Sequence, residues 1–449
     1  MLQQPVNRAS QEVGPPSSPE NVFAHASAIA NTLLIGIGRL FDFGNLDVQL
    51  IGFRANSETD LTDLVDFALT KEKYQEALFL VTIVRILGHK VNMSRRWHWV
   101  RALSVNTGFF EQTHGLPYAR TEKQRQMLIL QMEILRLAGP LDQAVIEEGT
   151  ASGAIIARES WNFRDGRSNS IGVHLLDAKD LVGPARFDKF RSEFRVIEDI
   201  PGHLRERCNV SPARYFASSN DAVSLSLMAP PTSLHHHPVV PNLHCLKDVF
   251  HPRECVEMIA AAESVGFLPD IPVLGGGIRD CTRALYFYWV IDDVFYSKLW
   301  SRVQAFLPKV FAEKRIRGIN RWFRLYKYVP GQEFPAHFDG AWPPSGIDPV
   351  TDKYIDDVSH GGAKQNTMLT FLIYLNDDFD LGGETTYFLP SANVPAVLNA
   401  YPVRAEQGSV LLFPHGELDE AVFHEGTTVP STAEKPIKYV IRTEVVYDA

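Results

Sequence analysis

The chain has 449 residues, room for two or three domains, and its 45% hydrophobic content supports ordinary packed cores. A formal net charge of −9 leaves no basic field for clamping phosphates, which argues against nucleic-acid binding. The four cysteines, Cys208, Cys245, Cys255 and Cys281, form no C-x-x-C pair; this excludes a disulfide framework and points to a reducing, cytoplasmic setting. The apolar stretch "FAHASAIANTLLIGIGRLF" is interrupted by His25 and Asn31 and lacks a basic flank, so no membrane segment is expected.

Residues 1–21, with "EVGPPSSPE", read as a disordered Pro/Ser-rich tail. Residues 22–145 read as a helical domain. In "SETDLTDLVDFAL", Ser57 and Asp60 stand in capping-box spacing ahead of Leu61, Leu64, Val65, Ala68 and Leu69 on one helical face. "KYQEALFLVTIVRILG" stops at Gly88, and "TEKQRQMLILQMEILRLAGP" stops at Gly139 and Pro140. Trp97 and Trp99 in "SRRWHWVR" read as core aromatics, although the helical region is also a candidate surface for a protein partner.

Periodicity is weak from 146 to 227, an irregular connecting region, and residues 228–241 form a Pro-rich linker. Its His235, His236 and His237 alternate sides and do not converge on one ion. Beyond it, "WFRLYKYV", "TMLTFLIYL", "SVLLF" and "IKYVIRTEVVY" are β-branched and aromatic runs divided by turn residues, so 242–449 reads as a mainly antiparallel β domain. The switch of periodicity at the linker predicts that this domain folds by itself.

Within "FPAHFDGAW", His337 and Asp339 are two apart, so on an extended strand both point to one face, about 6 to 7 Å apart. "AVFHEG" supplies His424 as a third ligand after the strand "SVLLFPH", with His415 as its rival. Two imidazoles and one carboxylate leave the remaining positions of a metal open, the arrangement associated with non-haem Fe(II). In "IKYVIRTEVVY" the alternation puts Lys438, Val440 and Arg442 on one face and Tyr439, Ile441 and Thr443 on the other.

The succession "FRLYKYVPGQEFPAHFDG", "TFLIYLNDDFDLGGETTYF", "GSVLLFPHGELDEAVFHEG" and "KYVIRTEVVY" resembles the prolyl 4-hydroxylase-type branch of the Fe(II)/2-oxoglutarate dioxygenases over residues 242–449. The resemblance implies a multidomain chain: a mainly α N-terminal region, then a mainly β double-stranded β-helix (jelly roll) with flanking helices. It implies His337, Asp339 and His424 as iron ligands, 2-oxoglutarate and O2 as co-substrates, and ascorbate as a further cofactor. The 5-carboxylate of 2-oxoglutarate then needs a cation, either Lys438, with "PSTAEKP" as a short insertion before it, or Arg442 about 13 Å along the strand. Tyr328 and Tyr374 are candidates to support the same carboxylate; Thr385, Thr386 and Arg283 are candidates for the substrate mouth, and "VLGGGIRD" for a loop at its rim. The expected activity is hydroxylation of a C–H bond in a protein or a small molecule. Two rivals are a cupin-like metal enzyme that uses no 2-oxoglutarate and a catalytically silent interaction module.

Overall fold

The computed structural model describes residues 58–104, 120–145, 153–164, 171–172, 177–205, 209–271, 284–378, 382–427 and 437–449. The expected tail, Ser57, Arg283, Cys208, Cys281, "VLGGGIRD" and "PSTAEKP" lie outside the described residues. The chain divides into two compact units, residues 1–90 and 91–449. No helix among the described residues is long and apolar enough to cross a membrane.

In the first unit, helices α1 (Glu58–Thr70) and α2 (Tyr74–Ile86) pack against each other. Leu61, Val65, Ala77, Val81 and Val84 are fully buried, the helical periodicity expected of these runs. The chain reverses between them at Glu72, in the left-handed region at φ 56°.

The second unit opens with helices α3 (Met93–Ser104) and α4 (Glu122–Leu135). A capping box starts α4: Gln124 N–H donates to the Thr121 hydroxyl, and Thr121 N–H donates to the Gln124 side chain. Trp99 is fully buried, as expected of a core aromatic, whereas Trp97, expected in the core with it, is exposed on the other side of the helix. These two helices belong to the same compact unit as the sheets, not to a separate helical body. Side chains tie them there: Arg96 is buried and reaches Asp419 at 3.3 Å, and the Glu133 carboxylate accepts the Ala396 N–H at 3.2 Å.

The strands are β1 (Ala154–Ala157), β2 (Trp161–Asn162), β3 (Phe194–Ile200), β4 (Ala213–Ser218), β5 (Ser233–His236), β6 (His244–Lys247), β7 (Leu268–Pro269), β8 (Leu285–Val290), β9 (Val310–Phe311) and β10 (Lys314–Ile319). There follow β11 (Trp322–Tyr328), β12 (Phe334–His337), β13 (Gly346–Ile347), β14 (Tyr354–Ile355), β15 (Gln365–Tyr374), β16 (Thr385–Pro390), β17 (Val397–Arg404), β18 (Val410–Pro414), β19 (Phe423–Gly426) and β20 (Lys438–Asp448). A 12-stranded sheet runs β3-β4-β8-β11-β20-β15-β18-β6-β5, with β7, β9 and β10 attached off this path. A 6-stranded sheet runs β1-β17-β16-β19-β12, with β2 beside β17. Both are mixed: β4 runs parallel to β8, and β1 and β2 run parallel to β17.

The alternation expected of the last strand is present. Tyr439, Ile441, Val445 and Tyr447 join one core with Val256 and Ile259 of α7 (a helix over Pro252–Val265, itself preceded by α5, Ala178–Val182, and α6, Pro184–Glu193) and Phe295 and Leu299 of α8 (Asp293–Val303). The opposite face of the large sheet, with Tyr328, Tyr374, Phe413 and Val440, packs on Tyr387, Leu389, Tyr401 and Val403 of the small sheet. The site lies between these two faces.

The segment 146–227, expected as irregular, instead supplies α5, α6 and strands β1 to β4 of both sheets. Its pattern was hidden because α6 buries a single residue, Phe190, and β3 buries only Phe194 and Ile197 of seven. The Pro-rich stretch 228–241 carries β5, the terminal strand of the large-sheet path, where proline on either side breaks no ladder. The β assembly therefore begins well before residue 242.

Candidate metal centre

Strands β12 and β19 run antiparallel, with His337 directly opposite His424 and an irregularity in register just before that pair. The rings lie on one side of the sheet, centroids 4.5 Å apart. Asp339 follows two residues after His337, past the end of its strand, and its backbone carbonyl is held by the N–H of Gly416 at 2.9 Å. One ligand atom from each of His337, Asp339 and His424 lies within 4.8 Å of the other two. Asp339 and His424 are buried, while His337 is partly exposed toward the cleft.

The hydrogen bonds decide which ring nitrogens face the centre. His337 Nδ1 lies 2.8 Å from the Pro335 carbonyl and His424 Nδ1 lies 2.9 Å from the Val422 carbonyl. A carbonyl only accepts, so each Nδ1 carries the proton and each Nε2 presents a lone pair. Those lone pairs face a carboxylate: His337 Nε2 is 3.2 Å from Asp339 Oδ1, and His424 Nε2 is 3.8 Å from Oδ2. Three electron-rich atoms converging without a proton between them form a site for a cation, and the donor set of two imidazoles and a carboxylate suits Fe(II).

Asp339 is held by two further strands. Arg442 of β20 puts Nη1 at 2.9 Å from Oδ1, and Thr370 of β15 donates its hydroxyl to Oδ2 at 2.7 Å. Burial pushes this carboxyl up, but the Arg442 guanidinium and the two imidazoles outweigh it and hold Asp339 well below the usual carboxylate range. Burial, then His337 beside it, lowers His424 to about 4, so it stays neutral and ligand-competent at pH 7.

A cleft continues from these residues between the sheets, lined by Tyr326, Tyr328, Phe334, Leu372, Thr385, Phe413 and Val440, and it reaches Lys438. Lys438 is buried, its Nζ 5.5 Å from the ring centroid of Tyr328 and 5.4 Å from that of Tyr374. Among the described residues no hydrogen bond or ion pair reaches this ammonium. Burial drops it to about 7, with Glu384 raising and Arg164 lowering it.

Arg442 also lines the cleft but is already engaged. Besides Asp339 it donates to the Gly340 carbonyl at 3.1 Å and lies 3.5 Å from Glu444, which is fully buried in an ion pair with Arg324. The two cations that sequence left as alternatives thus stand in different surroundings, one paired with a candidate metal ligand and one alone among aromatic rings. The Tyr374 hydroxyl is hydrogen-bonded to Thr385. Thr386 is buried but is not a lining residue of the cleft.

His415, the rival third ligand, is outside the cluster. It lies fully buried behind Asp339, with Nδ1 at 2.8 Å from the Thr370 hydroxyl. Sequence reading missed Thr370, Arg324 and Glu444. The alternation of the last strand extends to Glu444 on the face of Lys438 and Arg442, but a buried threonine such as Thr370 reads as packing until its partner is known. His235 and His236 are exposed on β5, with His236 Nδ1 2.8 Å from His244 Nδ1 across the strand pair.

No family model matches the chain, and no curated protein matches it. Among solved structures it is similar to HygX from Streptomyces hygroscopicus, described with nickel, 2-oxoglutarate and hygromycin B bound. The identity is 16% and the TM-score 0.29, over 46% of this chain and 83% of that one, a likeness too weak to bear on function.

Proposed function

We propose that this chain is a non-haem Fe(II)- and 2-oxoglutarate-dependent dioxygenase of prolyl 4-hydroxylase type, its two facing sheets forming a double-stranded β-helix. One observation carries the reading: two imidazole lone pairs and a carboxylate converge in a cleft that also reaches a buried ammonium with no hydrogen-bond or ion-pair partner among the described residues. A divalent cation answers the first feature and a dicarboxylate of 2-oxoglutarate's length answers the second. Tyr328 and Tyr374 wall the ammonium, and Arg442 steadies Asp339. With Fe(II), O2 and 2-oxoglutarate bound, the centre would supply oxidative decarboxylation to succinate and CO2 coupled to hydroxylation of a C–H bond in a peptide or small molecule. The chain's own part is to hold the ligands, keep His424 neutral and exclude water behind the cleft.

The test is anaerobic binding of Fe(II) and then 2-oxoglutarate, followed by succinate release on admitting O2, with ascorbate present and candidate prolyl peptides and extracts as substrates. The cupin-like rival predicts metal binding with no response to 2-oxoglutarate.

Lys438→Met is expected to weaken 2-oxoglutarate roughly 30-fold or more, because a truncated charge pair in a buried site costs at least about 2 kcal/mol. The same change should stabilise the unliganded protein at pH 6. Folded Lys438 sits at about 7 against 10.5 ordinarily, so below pH 7 both states are protonated and the fold bears the whole cost of burying the charge. Between those values the fold sheds its proton and that cost declines, so the advantage of the methionine shrinks as pH rises. Conversely, 2-oxoglutarate requires the charged form, and its affinity should fall toward alkaline pH with proton uptake on binding. Titration calorimetry in two buffers of different ionisation enthalpy and melting curves of both proteins check each sign.

A further inference from the structure

The Asp339 carboxylate terminates a chain of hydrogen bonds that crosses three segments of the fold. The Trp342 N–H donates to Thr367 Oγ1 at 2.8 Å, and Thr367 Oγ1 lies 3.0 Å from His415 Nε2. His415 Nδ1 lies 2.8 Å from Thr370 Oγ1, which lies 2.7 Å from Asp339 Oδ2.

The carboxylate end imposes a direction on this chain, and the other end is compatible with it. A backbone N–H only donates, so Thr367 accepts from Trp342 and keeps its own hydrogen free to turn toward His415 Nε2. An ionised carboxylate only accepts, so Thr370 spends its hydrogen on Asp339 and must accept from His415 Nδ1. The carboxylate end thus puts the proton on Nδ1, and Thr367 can then donate to the lone pair that a neutral histidine carries on Nε2. Deep burial keeps it neutral, lowering it to about 3. The neighbouring residue reinforces the grip, since Gly416 N–H donates to Asp339's own backbone carbonyl. Gly416 has φ +73°, and a Cβ there would meet the Ala341 Cβ at 2.8 Å, so only glycine lets the chain approach this closely.

We propose that His415 is a positioning residue for the metal centre: through Thr370 it fixes the rotation of the Asp339 carboxylate, while Arg442 fixes the other oxygen from the opposite strand. The inference rests on the reading of His337, Asp339 and His424 as metal ligands. His415 never touches the metal in this arrangement. It acts by removing the rotational freedom of the ligand through Thr370, which touches the carboxylate at Oδ2.

The experiment is a titration of the full-length protein with Mn(II) or anaerobic Fe(II), read as bound metal by equilibrium dialysis and not as turnover. Thr370→Val removes the donated hydrogen at nearly constant volume, and His415→Leu removes the ring nitrogen behind it. Each is expected to weaken metal about 10- to 100-fold, the range for loss of a group that orients a ligand. Thr370→Ser keeps the hydroxyl and His415→Asn keeps a donor near the Nδ1 position, and both should stay within about 3-fold of wild type, since their donated bond survives. Nitrogen-15 NMR of histidine-labelled, metal-free wild type should show one neutral histidine protonated on Nδ1 that disappears in His415→Leu. If wild type binds metal and Thr370→Val binds it equally well, the proposal is overturned while the metal centre stands. A resonance protonated on Nε2 for His415 overturns it too, whatever His415→Leu does to folding. Wild type that binds no metal sinks the metal centre and the proposal with it.

Discussion

His337→Ala is expected to abolish Fe(II) retention and succinate formation together while leaving the melting temperature close to wild type. Two remaining ligands hold a labile divalent ion poorly, and the loss should exceed the roughly 100-fold that disturbing an outer partner produces. Stability is spared because His337 is partly exposed at the cleft and its removal leaves no buried charge unpaired. Asp339→Ala is expected to lose the metal as completely and, in addition, to lower stability by about 3 to 5 kcal/mol, since the Arg442 guanidinium loses its buried counter-charge. Asp339→Asn keeps the shape and loses the charge, so it should fall close to the alanine variant in both respects. Metal analysis after desalting, paired with a thermal melt, separates the two effects. Wild-type iron stoichiometry in His337→Ala would refute the metal assignment.

Residues 242–449 expressed alone are expected to be insoluble or to give a broad, non-cooperative melt. The sequence reading expected the opposite, and the strand pairing explains the reversal. Cutting at 242 strips β3 and β4 from the edge of β8, β5 from β6, and β1 and β2 from β17. It also removes Phe190, Phe194, Val223 and Leu225 from the core shared with β8 and β15. Each such side chain contributes about 1.5 to 3 kcal/mol of burial, so four of them match the whole stability of a typical domain. Three bared strand edges add an aggregation hazard. Residues 91–449 retain every one of these contacts. A soluble 242–449 fragment with a sharp two-state transition would show that the added strands are dispensable.

These two outcomes also mark what a sequence reader sees and misses. The H-x-D pair and the face of β20 were legible because strand alternation is a local rule that needs no knowledge of the partner strand. The choice between Lys438 and Arg442 was not, because both sit on the same face and differ only in what lies opposite, Asp339 for one and aromatic rings for the other. His415 was legible only as a rival third ligand and not as a link in a directed chain, which needs Thr367 and Thr370 from a different strand. The additional strands were illegible for another reason. They are short, with charged residues on their outer faces, as in "FRVIEDI", so neither a clean period of two nor a continuous apolar run announces them.

Strand β20 has a consequence for how this protein is made. It pairs with β10, β11 and β15, and it carries Lys438, Arg442 and Glu444. A ribosome must therefore travel past residue 448 before the large sheet can acquire its middle. Until then β11 and β15, which end up on either side of the missing strand, have nothing to hold them together, and their apolar faces are open to any passing chain. Closure joins partners separated by long loops, a slow step with heavy loop-closure cost. Synthesis of this protein thus leaves a window in which a chain that already holds β11 and β15 depends on chaperone cover, and a stop codon a few residues before 438 would yield a product that never leaves it.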